Sequence, residues 1–435
     1  MAAEARNPGG RSGTGRHCML NHLGLISLLA LALAVTLSCF TQLNVGILCI
    51  ALAWFIGVYL GDMELKMIIS GFPVDIFLTL TGITLIFSQA RVNGTLERVS
   101  HEAIRLTGGR VGFVPILYFI LAAVIASSGP GNIATIGLLG PIAIATAIRM
   151  NISPFLMAIM VGNGVQAGAL SPIAPTGVIV KGLMERIGLP GMEVETWLYN
   201  AGAHAVVAFG GYFLFGGLSL LGRGERYKAT EEKVAPLNTR HVVTIVIIGL
   251  VIIGVVSPLK LNVGMAAFAG FVLLTLLRAA DQDEAIKNVP WGTIIMVCGV
   301  TVLISLMEKT SGMDLFTGFI ARFSTADTII PLLGATVGLI SAYSSTSAVV
   351  LPVFLPTIPG LAAQLGITST AAIAMTMNVA GHLVDVSPLS TIGALCVASL
   401  PAGYNSRRLF NQLLAWGLSM TVVGAVICWL LFKLD

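Results

Sequence analysis

The run Gly162-Asn163-Gly164-Val165-Gln166-Ala167-Gly168-Ala169-Leu170-Ser171-Pro172 sits inside a long apolar stretch, and His382-Leu383-Val384-Asp385-Val386-Ser387-Pro388 interrupts a second one. Ser171-Pro172 with Gly177 six residues after the serine returns as Ser387-Pro388 with Gly393, a separation of 387 − 171 = 216. Proline removes a backbone donor and clashes with the preceding helical turn, so each stretch reads as two half-helices joined by irregular backbone. A bilayer tolerates such backbone only where protein buries it or it lines a cavity. The two runs therefore point to a membrane protein made of one unit used twice, with an interior site at the breaks.

Working outward, three more matches keep the same spacing. Leu43-Asn44-Val45-Gly46 returns as Leu261-Asn262-Val263-Gly264, 261 − 43 = 218; Gly82-Ile83-Thr84-Leu85 returns as Gly299-Val300-Thr301-Val302, 299 − 82 = 217; Ser127-Ser128 returns as Ser344-Ser345, 344 − 127 = 217. One match in so apolar a chain means nothing, but four in order do. Composition agrees: of 435 residues 56% are hydrophobic and 10% charged, against roughly 25% charged in a soluble domain. Windows near the ~20 residues that cross a bilayer recur at Leu23–Phe40, Val45–Leu60, Ile76–Phe87, Ala203–Leu221, Val242–Val256, Val263–Leu277, Trp291–Leu306 and Leu413–Phe432.

These boundaries give a polar tail 1–22, a first repeat 23–221, a basic linker 222–240 and a second repeat 241–435. The expected fold is all-α and polytopic, with five transmembrane helices and one re-entrant hairpin per repeat. An odd number of crossings inserts the second copy upside down, the inverted-topology design of many secondary transporters. The hairpins are expected at 111–148 and 329–363 and the broken helices at 154–182 and 369–399. Hairpin arms of about 15 residues rise some 22 Å, so their polar tips, Ser127–Asn132 and Ser344–Thr346, are expected near the midplane. Fourteen of the 24 Lys and Arg residues fall on the side that is cytoplasmic if the N-terminus faces outward, leaving 24 − 14 = 10 on the other; this orientation is the expectation. The basic tail resembles a signal peptide, but no small-residue cleavage site follows Phe40 and the repeat needs Leu23–Phe40.

A net charge of +4 without a basic run gives no reason to expect a nucleic-acid partner. The six cysteines (Cys18, Cys39, Cys49, Cys298, Cys396, Cys428) form no C-x-x-C pair and read as small core residues, with no disulfide, metal centre or cofactor. No H-E-x-x-H is present and only one aspartate lies within the interior segments, which argues against a membrane-embedded enzyme. A channel is a separate reading; saturable, gradient-dependent flux distinguishes a carrier from it.

The interior segments carry chemistry without charge. No Lys, Arg, Asp or Glu occurs in Val111–Ile148 or Met150–Val180, and Asp385 is the only one between Thr328 and Ser406. Hydroxyls and amides crowd there instead: Ser128, Asn132 and Thr135; Asn163, Gln166, Ser171 and Thr176; Ser344, Ser345, Thr346 and Ser347; Ser387, Ser390 and Thr391. Broken helices and tips expose N–H groups that attract anions, while opposing helix C-termini expose carbonyls that hold cations. An ionisable group inside the membrane is functional by default, so Asp385 is a candidate Na⁺ ligand or proton carrier; the structural alternative is a cap on broken-helix N–H groups. The structural alternative for His382 is an imidazole bonded to a carbonyl.

These residues resemble the ion transporter superfamily, in particular the divalent anion:sodium symporters, and most closely the MatC-type malonate or dicarboxylate carriers. The stretch Leu43–Gly217, with the Gly162–Pro172 run inside it, is similar to the N-terminal region of that carrier family. The resemblance implies a scaffold, a mobile elevator-type transport domain, a homodimer and a multi-pass place in the cytoplasmic (inner) membrane. In the symporters each tip carries Ser-Asn-Thr. The second tip here has Ser344-Ser345-Thr346, and the first keeps only the Asn of Gly131-Asn132-Ile133, while repeat spacing selects Ser127-Ser128-Gly129.

The substrate-binding candidates are Ser128, Asn132, Thr135, Thr176, Ser344, Ser345, Thr346, Ser390 and Thr391; the ion-binding candidates are Ser127, Ser128, Asn132, Gly168, Ser345, Thr346, Val384 and Asp385. The function expected is symport of a small dicarboxylate such as malonate, coupled to Na⁺. The alternatives are a cation/proton antiporter, an oxyanion efflux pump or a proton-coupled carboxylate carrier.

Overall fold

The computed structural model describes residues 13–40, 43–96, 98, 110–222, 237–256, 259, 261–342, 345–400 and 404–432. The first twelve residues, most of the basic linker and the candidate Ser344 lie outside the described residues. In the first half the helices are α1 (Gly13–Phe40), α2 (Val45–Trp54), α3 (Leu65–Ile69), α4 (Val74–Val92), α5 (Val114–Ser127), α6 (Gly131–Arg149), α7 (Pro154–Ala169), α8 (Pro175–Arg186), α9 (Glu193–Leu214) and α10 (Gly217–Gly222). The second half has α11 (Thr239–Val256), α12 (Val263–Leu276), α13 (Gln282–Lys287), α14 (Trp291–Lys309), α15 (Gly312–Ala321), α16 (Ile329–Ser341), α17 (Thr346–Leu365), α18 (Thr370–Val384), α19 (Thr391–Ala398) and α20 (Ser406–Leu431).

Helices α4, α6, α14, α17 and α20 are long and apolar enough to cross a bilayer. Leu214, Leu250, Ile253, Leu276 and Leu430 lie exposed on the outer helices, an apolar surface that water would not tolerate over so many elements. The chain is a multi-pass integral membrane protein.

The sequence strings that recur are the points where the halves cross. Helix α2 packs on α14, and α4 packs on α12. A Cβ on Gly46 would strike the backbone of Ile295 and Met296, and one on Gly299 would strike Gly46; Gly82 and Gly264 approach each other in the same way. Small residues at such crossings let two backbones meet without hydrophobic force from lipid. Asn44 accepts a hydrogen bond from the Gly46 N–H at 3.0 Å, and Asn262 accepts one from Met265 at 3.1 Å, so both repeated Asn residues cap the helix they open. The packing is doubled further on: α5 lies against α7 as α16 lies against α18, and α7 against α9 as α18 against α20.

Helices α7 and α18 form the centre. Every residue from Phe155 to Ala169 is buried, as is every one from Ala372 to Val384. A helix buried on all faces has no room for unpaired polar groups, so the amides within these two are informative.

Two boundaries differ from the sequence reading. The span expected at Ala203–Leu221 is α9, which starts at Glu193 and ends at Leu214. Glu193 and Glu195 sit in its first turn, where the helix dipole favours them, and Gly216 at φ +105 turns the chain beyond its end. The first arm at each tip is short, 14 residues in α5 and 13 in α16, but the second runs for 19 in α6 and 20 in α17. Pro141 lies within α6 without ending it, and α17 absorbs Pro352, Pro356 and Pro359 through wide and tight turns.

Candidate functional site

The two helix breaks have one geometry. Helix α7 ends in a turn where Ser171 N donates to Gly168 O at 3.2 Å and Ala174 N to Ser171 O at 2.9 Å; after α18, Ser387 N donates to Val384 O at 2.9 Å and Ser390 N to Ser387 O at 3.0 Å. Gly177 and Gly393 then seat the next half-helix directly against the carbonyls of Ser171 and Ser387, where any Cβ would collide with the oxygen. That contact explains why Gly follows Ser-Pro by the same interval in both halves. The first tip turns through Gly129 (φ +132) and Gly131 (φ +75), conformations that favour glycine. Ser171 Oγ donates to Ser127 O at 2.7 Å and ties this tip to the break of its own half.

The side chains at these equivalent places differ between the halves, and the differences build the site. The first half supplies amides. Asn132, in the first turn of α6, donates from Nδ2 to Gln166 Oε1 at 2.6 Å. Gln166 Nε2 donates to Asp385 Oδ2 at 2.9 Å and reaches His382 O at 3.3 Å. The second half supplies the acid and hydroxyls. Thr346, the first residue of α17, donates to Asp385 Oδ1 at 2.7 Å, and Ser390 donates to the same oxygen at 3.3 Å and to Asp385 O at 2.9 Å.

One continuous chain thus runs Asn132, Gln166, Asp385, Thr346, joining both tips through both broken helices. All four residues and Ser390 are buried. Asp385 closes α18 as its C-cap, its own N–H donating to His382 O at 3.2 Å, but among the described residues the bonds to its carboxylate come from side chains and not from broken-helix N–H groups. No cationic side chain forms an ion pair with it among the described residues. A buried carboxylate held only by neutral donors suits a small cation or a proton as its partner.

Not every candidate joins this chain. Ser127 Oγ and Ser128 Oγ donate to Ala123 O and Ile125 O of their own helix, and Thr135 Oγ1 donates to Gly131 O. Ser345 accepts from Ala348 N and caps α17. Gly168 and Val384 offer carbonyls that the break turns already use. Thr176 is buried near the start of α8, and Thr391 is exposed at the start of α19. His382 Nδ1 lies 2.7 Å from Asn378 O, the carbonyl-bonded state expected of a structural imidazole.

Sequence reasoning left Gln166 out of the candidate set. Its signal was present: 382 − 166 = 216, so Gln166 is the counterpart of His382 one turn before the acid.

Residues 19–169 match the family described as dicarboxylate carrier protein MatC N-terminus. The match covers 169 − 18 = 151 of 435 residues, from within α1 to the end of α7. It therefore includes Asn132 and Gln166 but stops before Thr346 and Asp385. No curated protein matches the chain.

Proposed function

We propose, from the match of residues 19–169 to the family described as dicarboxylate carrier protein MatC N-terminus, that the chain is a secondary active symporter moving a small dicarboxylate such as malonate with Na⁺. It is a carrier and not an enzyme. The observation that supports the coupled mode is the Asn132–Gln166–Asp385–Thr346 chain, in which one buried carboxylate is shared by both tips and both breaks.

In this reading Asp385 and the carbonyl ends of α7 and α18 hold the cation, which offsets the charge of a dianion placed at the helix N-termini of α6 and α17. Thr346 and Asn132 belong to both sites, because each begins a helix and each is bonded toward Asp385. Ion binding and anion binding then reinforce each other through common residues. Inverted repeats, re-entrant tips, an elevator movement, a homodimer, an outward N-terminus and a place in the cytoplasmic membrane complete the proposal; the doubled packing and doubled helix breaks support the first of these.

Proton coupling is the second reading, favoured by Asp385 being the only carboxylate in the network. Uptake of labelled malonate into proteoliposomes under an inward Na⁺ gradient tests the proposal, with a matched pH gradient without Na⁺ as the other arm.

A further inference from the structure

Helices α4, α11 and α12 pack against one another and enclose, with the first tip and the first break, a cleft of about 300 Å³ measured to its open mouth. Phe87 of α4, Ile248 and Val251 of α11 and Ala267 of α12 form its walls, and Ser128 of the tip and Ile173 of the break complete it. A Cβ on Gly129 would strike the Phe87 ring, so this wall lies directly against the tip. Ser128 is the one polar side chain among the described lining residues, and its hydroxyl already donates to Ile125 O at 2.8 Å. A carboxylate would find no donor here, so the cleft suits an apolar guest.

The cleft opens toward lipid. Phe87, Ile248 and Val251 are only partly buried, and Leu250 and Ile253 on the adjoining face of α11 are exposed. An empty gap at that place would forfeit dispersion contacts on both of its sides, and hydrocarbon stands at its mouth.

The two helices that wall the cleft each carry an arginine at the same end. Arg91 follows Phe87 by 91 − 87 = 4 residues, one turn along the same face of α4. Arg240 precedes Val251 by 251 − 240 = 11 residues, three turns and about 16 Å along the same face of α11. Asn93 joins these ends: its Nδ2 donates to Thr244 Oγ1 at 2.8 Å, and its carbonyl lies 2.9 Å from His241 Nε2. Arg91 and Arg240 are both exposed, and neither forms an ion pair among the described residues. The acids nearest this end in the fold, Asp281 and Glu284, belong to α13; Asp281 accepts from Glu284 N at 2.8 Å, and Glu284 accepts from Asn288 at 3.2 Å. Helix α13 meets α4 through Ser88, whose hydroxyl donates to Ala285 O at 2.8 Å, about 100° around the helix from Phe87.

We propose that this cleft is a binding site for one anionic phospholipid, with an acyl chain between α4, α11 and the first tip and the phosphate between Arg91 and Arg240. Guanidinium groups pair with phosphate through two parallel hydrogen bonds, and basic residues at helix ends between membrane helices recognise anionic headgroups. The chain then runs from the basic rim down to Ser128 and Ile173, so the lipid touches both the helix frame and the tip. The site does not rest on the substrate proposed above.

The test uses the full-length protein in phosphatidylcholine nanodiscs that contain a phosphatidylglycerol with a diazirine part-way along one acyl chain. After illumination, cross-links read by peptide mass spectrometry should fall on Phe87, Ile248 and Val251 several-fold more than on Leu250 and Ile253. Replacing part of the phosphatidylcholine by unlabelled phosphatidylglycerol should remove the first set and leave the second. Arg91→Gln combined with Arg240→Gln, at two exposed positions outside the Asp385 chain, should lower the cleft cross-links several-fold and spare those on Leu250. Equal labelling of cleft and lipid-facing residues would overturn the proposal. Cleft labelling left unchanged by either unlabelled phosphatidylglycerol or the double variant would overturn it too.

Discussion

Replacing Gln166 by leucine removes the middle of the chain that joins the tips. Gln166 is fully buried and leucine is close to it in volume, so the cavity contribution is small. What remains is two stranded partners. Asn132 Nδ2, now 2.6 Å from Oε1, loses its acceptor, and Asp385 Oδ2, now 2.9 Å from Nε2, loses its donor. An unpaired buried neutral group costs about 1–3 kcal/mol and a lost bond to a charged group about 1.5–3. The sum is about 2.5–6 kcal/mol, and each 1.4 kcal/mol is about a factor of ten. Initial uptake of labelled malonate into proteoliposomes should therefore fall at least ~50-fold where that cost falls on the transport-competent arrangement, with a lower Tm in detergent. Adding Asp385→Asn should not deepen the Tm loss, because a neutral amide no longer leaves a charge unpaired; the cycle should show coupling of about 1–3 kcal/mol. Uptake within threefold of the unaltered protein, or Tm changes that simply add, would refute the reasoning.

Other substitutions probe the same network and its frame. Asn132→Ala and Thr346→Ala should each sharply weaken substrate binding, read by malonate protection in a thermal-shift assay; full binding by both would remove the tips from the site. Asp385→Asn should change the Na⁺ or pH dependence of uptake more than the KM for malonate, and an unaltered ion profile would return Asp385 to a structural role. Gly177→Ala and Gly393→Ala should each destabilise by about 1–3 kcal/mol through overpacking at the break, while Gly202→Ala, with open space around its Cβ position, should be neutral or slightly stabilising. Cys298→Ser, buried in α14 and not bonded into the Asp385 chain, should keep uptake nearly unchanged; a large loss would place α14 in the transport site.

The parts of this fold that were legible in the sequence are those where local chemistry leaves a mark. Ser-Pro followed by Gly states a helix break because proline lacks a donor and the glycine must meet a carbonyl. The Asn-Val-Gly strings state a cap and a close crossing, and they recur because the crossing does. Asp385 stood out because charge is absent around it. Partners distant in sequence left no such mark: Gln166 and Asp385 are 385 − 166 = 219 residues apart, and nothing near Gln166 says which way its amide turns. The buried Asn200 and His204 lie in a helix whose first turn carries two glutamates, so hydropathy alone placed that span ten residues late, 203 − 193 = 10. Serines at the first tip attracted attention by type, yet a serine that bonds its own helix has the same letter as one that meets a ligand.

The most direct test is uptake of labelled malonate by the purified protein in proteoliposomes, comparing an inward Na⁺ gradient with a pH gradient in Na⁺-free buffer, alongside Gln166→Leu. Saturable uptake driven by Na⁺ and lost in Gln166→Leu is the result expected of a carrier whose tips share one cation site. Uptake driven by the pH gradient alone would contradict Na⁺ coupling, and uptake that persists in Gln166→Leu would contradict the site itself.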